Sequence, residues 1–386
     1  MKTTMEAAGG RIQWPDAVKG IAILWIVYFH FMLAYYTGGY PWPLSGGNFT
    51  AYLTFCAPSS TPETIFCFLQ GCCAAIMQRG AQGVGVFVVL SGFGLTYSLL
   101  RAKRQESWKT WYGKRMVRLF PMYWAAHLIY LVSPLIDRTE PIDWRFLLSF
   151  LGDRVFPVEA MFYYLCPPWW FFGLLLELYL VFPLLYRLLQ RLGPVKYLAG
   201  SIAFTVAGRY LLFDVLELNV YYVQGAFFGS RLWEFATGMA FAVFFANRPE
   251  TAERRLFSLP AFAAGVLLYL LGDYCYKPGF TYALSDGIMG TGLSLVLANL
   301  AHLLGRVPAA GTAVAAVGAS SYGLYLLHYP YVFYFGKRLQ ELSMPGYAAV
   351  VTGIVAVIAV VCIPVERLVN RVAGRVLDRR KNRTPA

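Results

Sequence analysis

Residues 14–30 read WPDAVKGIAILWIVYFH, and the fold turns on them. Ten uncharged, mostly apolar residues separate Lys19 from His30. A helix carries these eleven steps over about 16 Å, roughly half of a hydrocarbon core about 30 Å thick. Lysine at the start of such a run keeps its ammonium in the interface by extending its stem. Histidine at the far end lies at mid-membrane depth, where an ionisable group is costly and points to function. The run contains no small-residue cleavage site, so residues 17–37 read as a retained membrane helix rather than a removed signal peptide.

The rest of the chain follows the same pattern. Of 386 residues, 58% are hydrophobic and 14% charged, and the mean hydropathy is +0.52. Soluble domains carry roughly 25% charged residues, so a water-soluble protein is excluded. The expectation is an all-α fold, a polytopic transmembrane helix bundle forming one domain over 1–386. Ten apolar segments approach the roughly 20 residues that a crossing needs: 17–37, 82–100, 119–136, 169–188, 197–213, 225–246, 258–272, 281–303, 318–335 and 347–364. A long loop, 38–81, separates the first two, and a basic tail, 365–386, follows the last. With both termini cytoplasmic, 24 of the 33 Lys and Arg fall on the cytoplasmic side and seven on the other. That bias sets the orientation. It also accounts for the net charge of +13 without a nucleic-acid partner.

This topology puts six of the seven cysteines (56, 67, 72, 73, 166 and 275) outside, which fits an oxidising compartment and predicts at least one disulfide. No Cys-x-x-Cys or histidine-rich cluster suggests a metal.

Further candidates sit inside or beside the spans. FVVLSGFGLTYSLL (87–100) carries Ser91 among small residues that allow close helix approach. WYGKRMVRLFPMYW (111–124) places Lys114, Arg115 and Arg118 at the cytoplasmic end of a helix. Arg115 and Arg118, three apart, share a face, and two guanidinium forks suit phosphate oxygens; lipid headgroup binding is the plainer reading. Asp16, Glu177 and Glu234 are acids within or next to apolar runs, where charges pair. Arg231 stands one turn before Glu234. SSYGLYLLHYPYVFY (320–334) puts Tyr322 and a second intramembrane histidine, His328, in an aromatic span. His127 and His302 read as structural.

Taken in order, these segments resemble the integral-membrane acyltransferase-3 family over nearly the whole chain. The Lys19-to-His30 spacing is similar to the family's first-helix pattern, with Lys where many members have Arg. LSGF and KRMVRLFPMYW resemble its Ser-Gly-Phe and Arg-x-x-Arg-x-x-Pro motifs, and WFFGLLLELYLVFP, RLWEFATGMAFA and SYGLYLLHYP resemble later ones. The resemblance implies acyl transfer, most commonly of acetyl, from cytosolic acyl-CoA to a hydroxyl of an extracytoplasmic or lipid-linked glycan in the bacterial plasma membrane. It implies a donor site at Arg115 and Arg118, with Ser91 and Lys114 beside it, and no metal. His30 would be the general base or an acylated nucleophile, and Asp16 or Glu234 would orient Lys19 or the imidazole. Glu177, His328 and Tyr322 remain further candidates. No appended esterase-like domain is expected. Membrane lipids are the other expected partner, and oligomeric state is left open. The rival reading is a transporter or flippase for a lipid-linked glycan or an acyl donor, with His30 and Glu177 as a proton relay.

Overall fold

The computed structural model describes residues 6–7, 11–36, 58–102, 106–138, 140–218, 225–277 and 279–381. Apart from a two-residue antiparallel pairing of Glu6–Ala7 with Arg11–Ile12, its regular structure is helical. The helices are α1 (Trp14–Tyr36), α2 (Thr61–Gln78), α3 (Gly83–Leu100), α4 (Trp108–Val132), α5 (Trp144–Leu151), α6 (Val158–Met161) and α7 (Trp170–Tyr210). After these come α8 (Leu232–Asn247), α9 (Pro249–Leu256), α10 (Leu259–Cys275), α11 (Tyr282–Leu304), α12 (Pro308–Ala319), α13 (Ser321–Leu339) and α14 (Met344–Lys381).

Each of the ten apolar segments lies mainly on helix, but fewer helices are long and apolar enough to cross a membrane. Among the described residues five qualify, or seven when two bent pairs each count as one span. The shortfall has local causes. Helix α7 holds two expected spans in one run, broken where Gly193 takes φ +73° ahead of Pro194. Helix α4 begins with Lys109, Lys114, Arg115 and Arg118, and α8 has only 16 residues.

Several stretches expected as loops are helical, among them α5 between the third and fourth expected spans and α9 between the sixth and seventh. Within 38–81, residues 61–78 form α2. Its start is capped twice: Ser60 Oγ accepts from Glu63 N, and the Glu63 carboxylate accepts from Ser59 N at 2.7 Å, the logic of a capping box. Residues 37–57 lie outside the described residues. The connection before the ninth span is α12, a short Ala- and Gly-rich helix meeting α13 at 78°. The predicted disulfide is also corrected. All six described cysteines are free, four of them (67, 166, 275 and 362) buried; Cys56 lies outside the described residues.

In lipid, apolar burial gives helices little reason to associate, so close packing of small residues has to do it. Gly92 on α3 and Gly238 on α8 make one such contact. A Cβ on Gly92 would overlap the Phe235 carbonyl oxygen, and one on Gly238 would overlap that of Val89. Gly20 and Gly318 clamp α1 to α12 in the same way, each against the other helix's backbone. The outer face is greasy: Leu180, Leu184, Val357 and Val360 are exposed, as a lipid-facing surface requires. Larger rings fill the interior, including Tyr123 stacked on Phe172 with centroids 3.7 Å apart. His127, buried and held by Tyr123 O and Ser149 Oγ at 2.9 Å each, is part of this packing. His302 stacks on Phe257.

Candidate functional site

A cavity of about 240 Å³ opens among α1, α3, α4, α7, α13 and α14. It gathers Asp16, Lys19, Ser91, Arg115, Arg118 and Tyr322, six candidates drawn from four separate helices. Lys19 Nζ donates to Asp16 Oδ1 at 3.2 Å, one turn back. Arg115 lies over Trp111, 5.3 Å from the ring centre, and its Nη2 reaches Ser98 Oγ at 3.5 Å. Its Nε is buried without a hydrogen-bond acceptor. Among the described residues, no carboxylate makes an ion pair with Arg115 or Arg118. Arg115 is half-buried and Arg118 exposed, so the cavity offers guanidinium donors, one of them buried and unpartnered, whose chemistry suits an anion.

Sequence reading missed one wall of this cavity. Glu366 on α14 lines it, almost buried, with Oε2 accepting from Gly323 N at 3.0 Å. The signal was available: Glu366 follows the last apolar segment by two residues, much as Asp16 precedes the first by one. Lys114 is not on the lining; it pairs with Glu106 instead.

His30 and His328 are brought together. His30 Nδ1 and His328 Nε2 are 3.0 Å apart, and His328 Nδ1 is 3.0 Å from the Leu324 carbonyl. A carbonyl only accepts, so His328 carries its proton on Nδ1 and presents a lone pair at Nε2. That lone pair takes the proton of His30 Nδ1, which leaves His30 Nε2 as the basic nitrogen. His328 is fully buried, while His30 keeps partial exposure. Neither ring lines the cavity. Tyr325 lines the cavity, and its ring centre is 5.8 Å from that of His328.

Glu234 and Glu177 lie elsewhere, which corrects two expectations. Glu234 Oε1 pairs with Arg231 Nη1 at 2.9 Å and is not partnered with Lys19 or the imidazole. Asp286 joins them, 3.4 Å from Arg231 and 2.6 Å from Arg209. Glu177 Oε2 accepts from Phe228 N at 2.8 Å, so it anchors the turn before α8. A second cavity, about 420 Å³, is lined by Glu234, Arg231, Asp286 and Phe29, the neighbour of His30. The two cavities lie toward opposite ends of α1 and α3. Between them Phe87 and Phe171, rings 6.2 Å apart, form part of a septum. No cluster of three or more His, Cys, Asp or Glu able to hold a metal occurs among the described residues.

An apolar helix bundle with an arginine-lined cavity and a hydrogen-bonded histidine pair near it has features that suit a membrane-embedded group-transfer protein. Residues 12–366 match the family model described as the acyltransferase domain of the acyltransferase-3 type, so the chain belongs to that family and is a membrane acyltransferase. No curated protein and no solved structure matches it.

Proposed function

We propose that the protein is an O-acyltransferase of a bacterial plasma membrane, moving an acyl group, in the first instance acetyl, from cytosolic acyl-CoA to a hydroxyl of an extracytoplasmic or lipid-linked glycan. The observation that carries this reading is the Arg115–Arg118 cavity, suited to an anion and lined by Tyr325, whose ring neighbours that of His328. The bias of basic residues supports putting this cavity on the cytoplasmic side. At about 240 Å³ it is too small for a whole coenzyme. It suits a narrow pantetheine arm, with the phosphates at its arginine-lined mouth.

The chemistry follows from the tautomers. His30 Nε2 accepts the proton of the acceptor hydroxyl as its oxygen attacks the thioester carbonyl. The C–S bond breaks, the ester C–O bond forms, and the proton passes to the departing CoA thiolate. The His30 imidazolium formed on the way is stabilised through Nδ1–H by His328 Nε2. Acylation of His30 itself would use the same nitrogen as nucleophile.

The transporter reading loses its relay, because Glu177 is engaged at the Phe228 turn and not beside His30. Incubating purified protein with radiolabelled acetyl-CoA and crude envelope glycan tests the proposal. Label transferred to glycan in an alkali-labile linkage is the expected result. Absence of glycan and protein labelling, with CoA binding intact, overturns it.

A further inference from the structure

The second cavity carries chemistry that the donor side does not use. Its volume of about 420 Å³ falls in the range of small-molecule sites. Six rings line it: Phe29, Phe162, Tyr163, Trp170, Tyr276 and Tyr282. Its charges are already balanced. Arg231 is shared by Glu234 and Asp286, Arg209 sits on Asp286, and Arg79 pairs with Asp273 at 3.0 Å. What remains open is acceptors. Glu234 is 1% exposed, and its Oε2 has no hydrogen-bond donor; Gln82 Oε1 is likewise buried and unpartnered.

Both groups belong to the cavity wall, and the carboxyl is held in place. A Cβ on Gly85 would come within 2.9 Å of Glu234 Oε1, and one on Gly290 within 2.9 Å of its Cγ. The two glycines let α3 and α11 close on the carboxyl from either side. A buried acceptor without a donor is costly, so the ligand that fits brings O–H groups, apolar faces for the rings and no net charge.

We infer that this cavity binds an uncharged sugar ring, its hydroxyls donating to Glu234 Oε2 and Gln82 Oε1 and its C–H faces lying on the aromatic wall. Phosphorylated sugars and uronates are disfavoured because the two arginines on the cavity wall, Arg231 and Arg79, are each paired with carboxylates. Phe29, whose ring centre is 5.0 Å from that of His30, places the ring next to the base. That this sugar is the acyl acceptor rests on the acyl-transfer reading above; its binding does not.

The test uses the full chain in lipid nanodiscs without any acyl donor. Tryptophan emission is titrated with the methyl glycosides of glucose, galactose, mannose and N-acetylglucosamine. Methyl glucuronoside and methyl glucosaminide serve as anionic and cationic counterparts, and Trp170→Phe identifies the signal from the wall. At least one neutral glycoside should saturate, with both charged counterparts about tenfold weaker or worse. Gln82→Met, which keeps bulk and removes an acceptor, should weaken binding by about threefold to tenfold, and Glu234→Gln by more. No saturable response to any neutral glycoside, tighter binding of a charged one, or an unchanged affinity in Gln82→Met overturns the inference. Repeating the titrations with CoA in place of sugar separates the readings: sugar binding without CoA binding sinks only the donor assignment, and CoA binding without sugar binding sinks only this one.

Discussion

In the Lys19 cavity the carboxylates are committed away from the arginines: Asp16 to Lys19, and Glu366 to the Gly323 amide. In the Glu234 cavity the opposite holds, with Arg209 and Arg231 both closed on Asp286 and Glu234. The residue types are the same, but in one place donors are left over and in the other acceptors. Donors left over favour an anion, and acceptors left over favour hydroxyls. A difference in pairing, rather than in composition, therefore gives the two ends of one bundle different ligand preferences.

The contrast is broken most severely by cutting the closed network. Asp286→Asn removes the group shared by Arg209 and Arg231, leaving a buried positive charge uncompensated. Breaking such a pair costs about 3–5 kcal/mol. The thermal unfolding midpoint should drop sharply in detergent-purified protein, while an equal midpoint would mean that Glu234 alone compensates both arginines.

Next comes the histidine pair, whose His30 ring neighbours Phe29 of the second cavity. His30→Ala should insert and purify normally yet lose at least about a hundredfold in transfer rate, the low end for a removed general base. His328→Phe should follow it partway, by about tenfold or more in kcat with little change in KM, because it removes the acceptor that fixes the His30 tautomer. His328→Gln, which keeps an acceptor for Nδ1–H, should recover part of that loss. A KM effect alone would make His328 a packing residue.

The open arginines are tested by keeping charge and changing shape. Replacing Arg115 and Arg118 together by Lys retains the basic face but not the planar fork. Each charge-assisted bond lost is worth roughly 1.5–3 kcal/mol, so CoA affinity by calorimetry should fall by tens-fold or more. Equal affinities would return these arginines to topology alone.

Much of this was legible in the sequence, and the exceptions share a cause. Two local readings appear as geometry: Arg115 and Arg118 line one cavity, and Arg231 pairs with Glu234. The residues that needed long-range partners were not legible. His328 meets His30 across 298 positions, and Asp286 meets Arg209 across 77. Glu234 was read as a possible partner of the imidazole because nothing in the sequence tells which of two arginine-rich ends a carboxylate joins. Helix α12 was missed because 12 small residues are too few to span and carry no polar periodicity. Its value lies in the Gly318–Gly20 contact, which exists only in three dimensions.

The smallest expected effect bears on the open cavity itself. Asp16 and Lys19 form a part-exposed i, i+3 pair, with side chains 13% and 26% exposed. Such pairs contribute about 0–1 kcal/mol, so Asp16→Asn should shift the unfolding midpoint little, in contrast with Asp286→Asn. Its consequence should appear in binding. The lining carries Lys19, Arg115 and Arg118 against Asp16 and Glu366, a single positive charge in excess. Asn at position 16 doubles that excess. Affinity for CoA should then rise by about threefold at low ionic strength, and the gain should shrink as salt shortens the Debye length from about 30 Å at 0.01 M to about 8 Å at 0.15 M. A fall in affinity at both salt concentrations would mean that Asp16 holds Lys19 in the geometry the ligand needs. Positioning, rather than net charge, would then govern the open cavity.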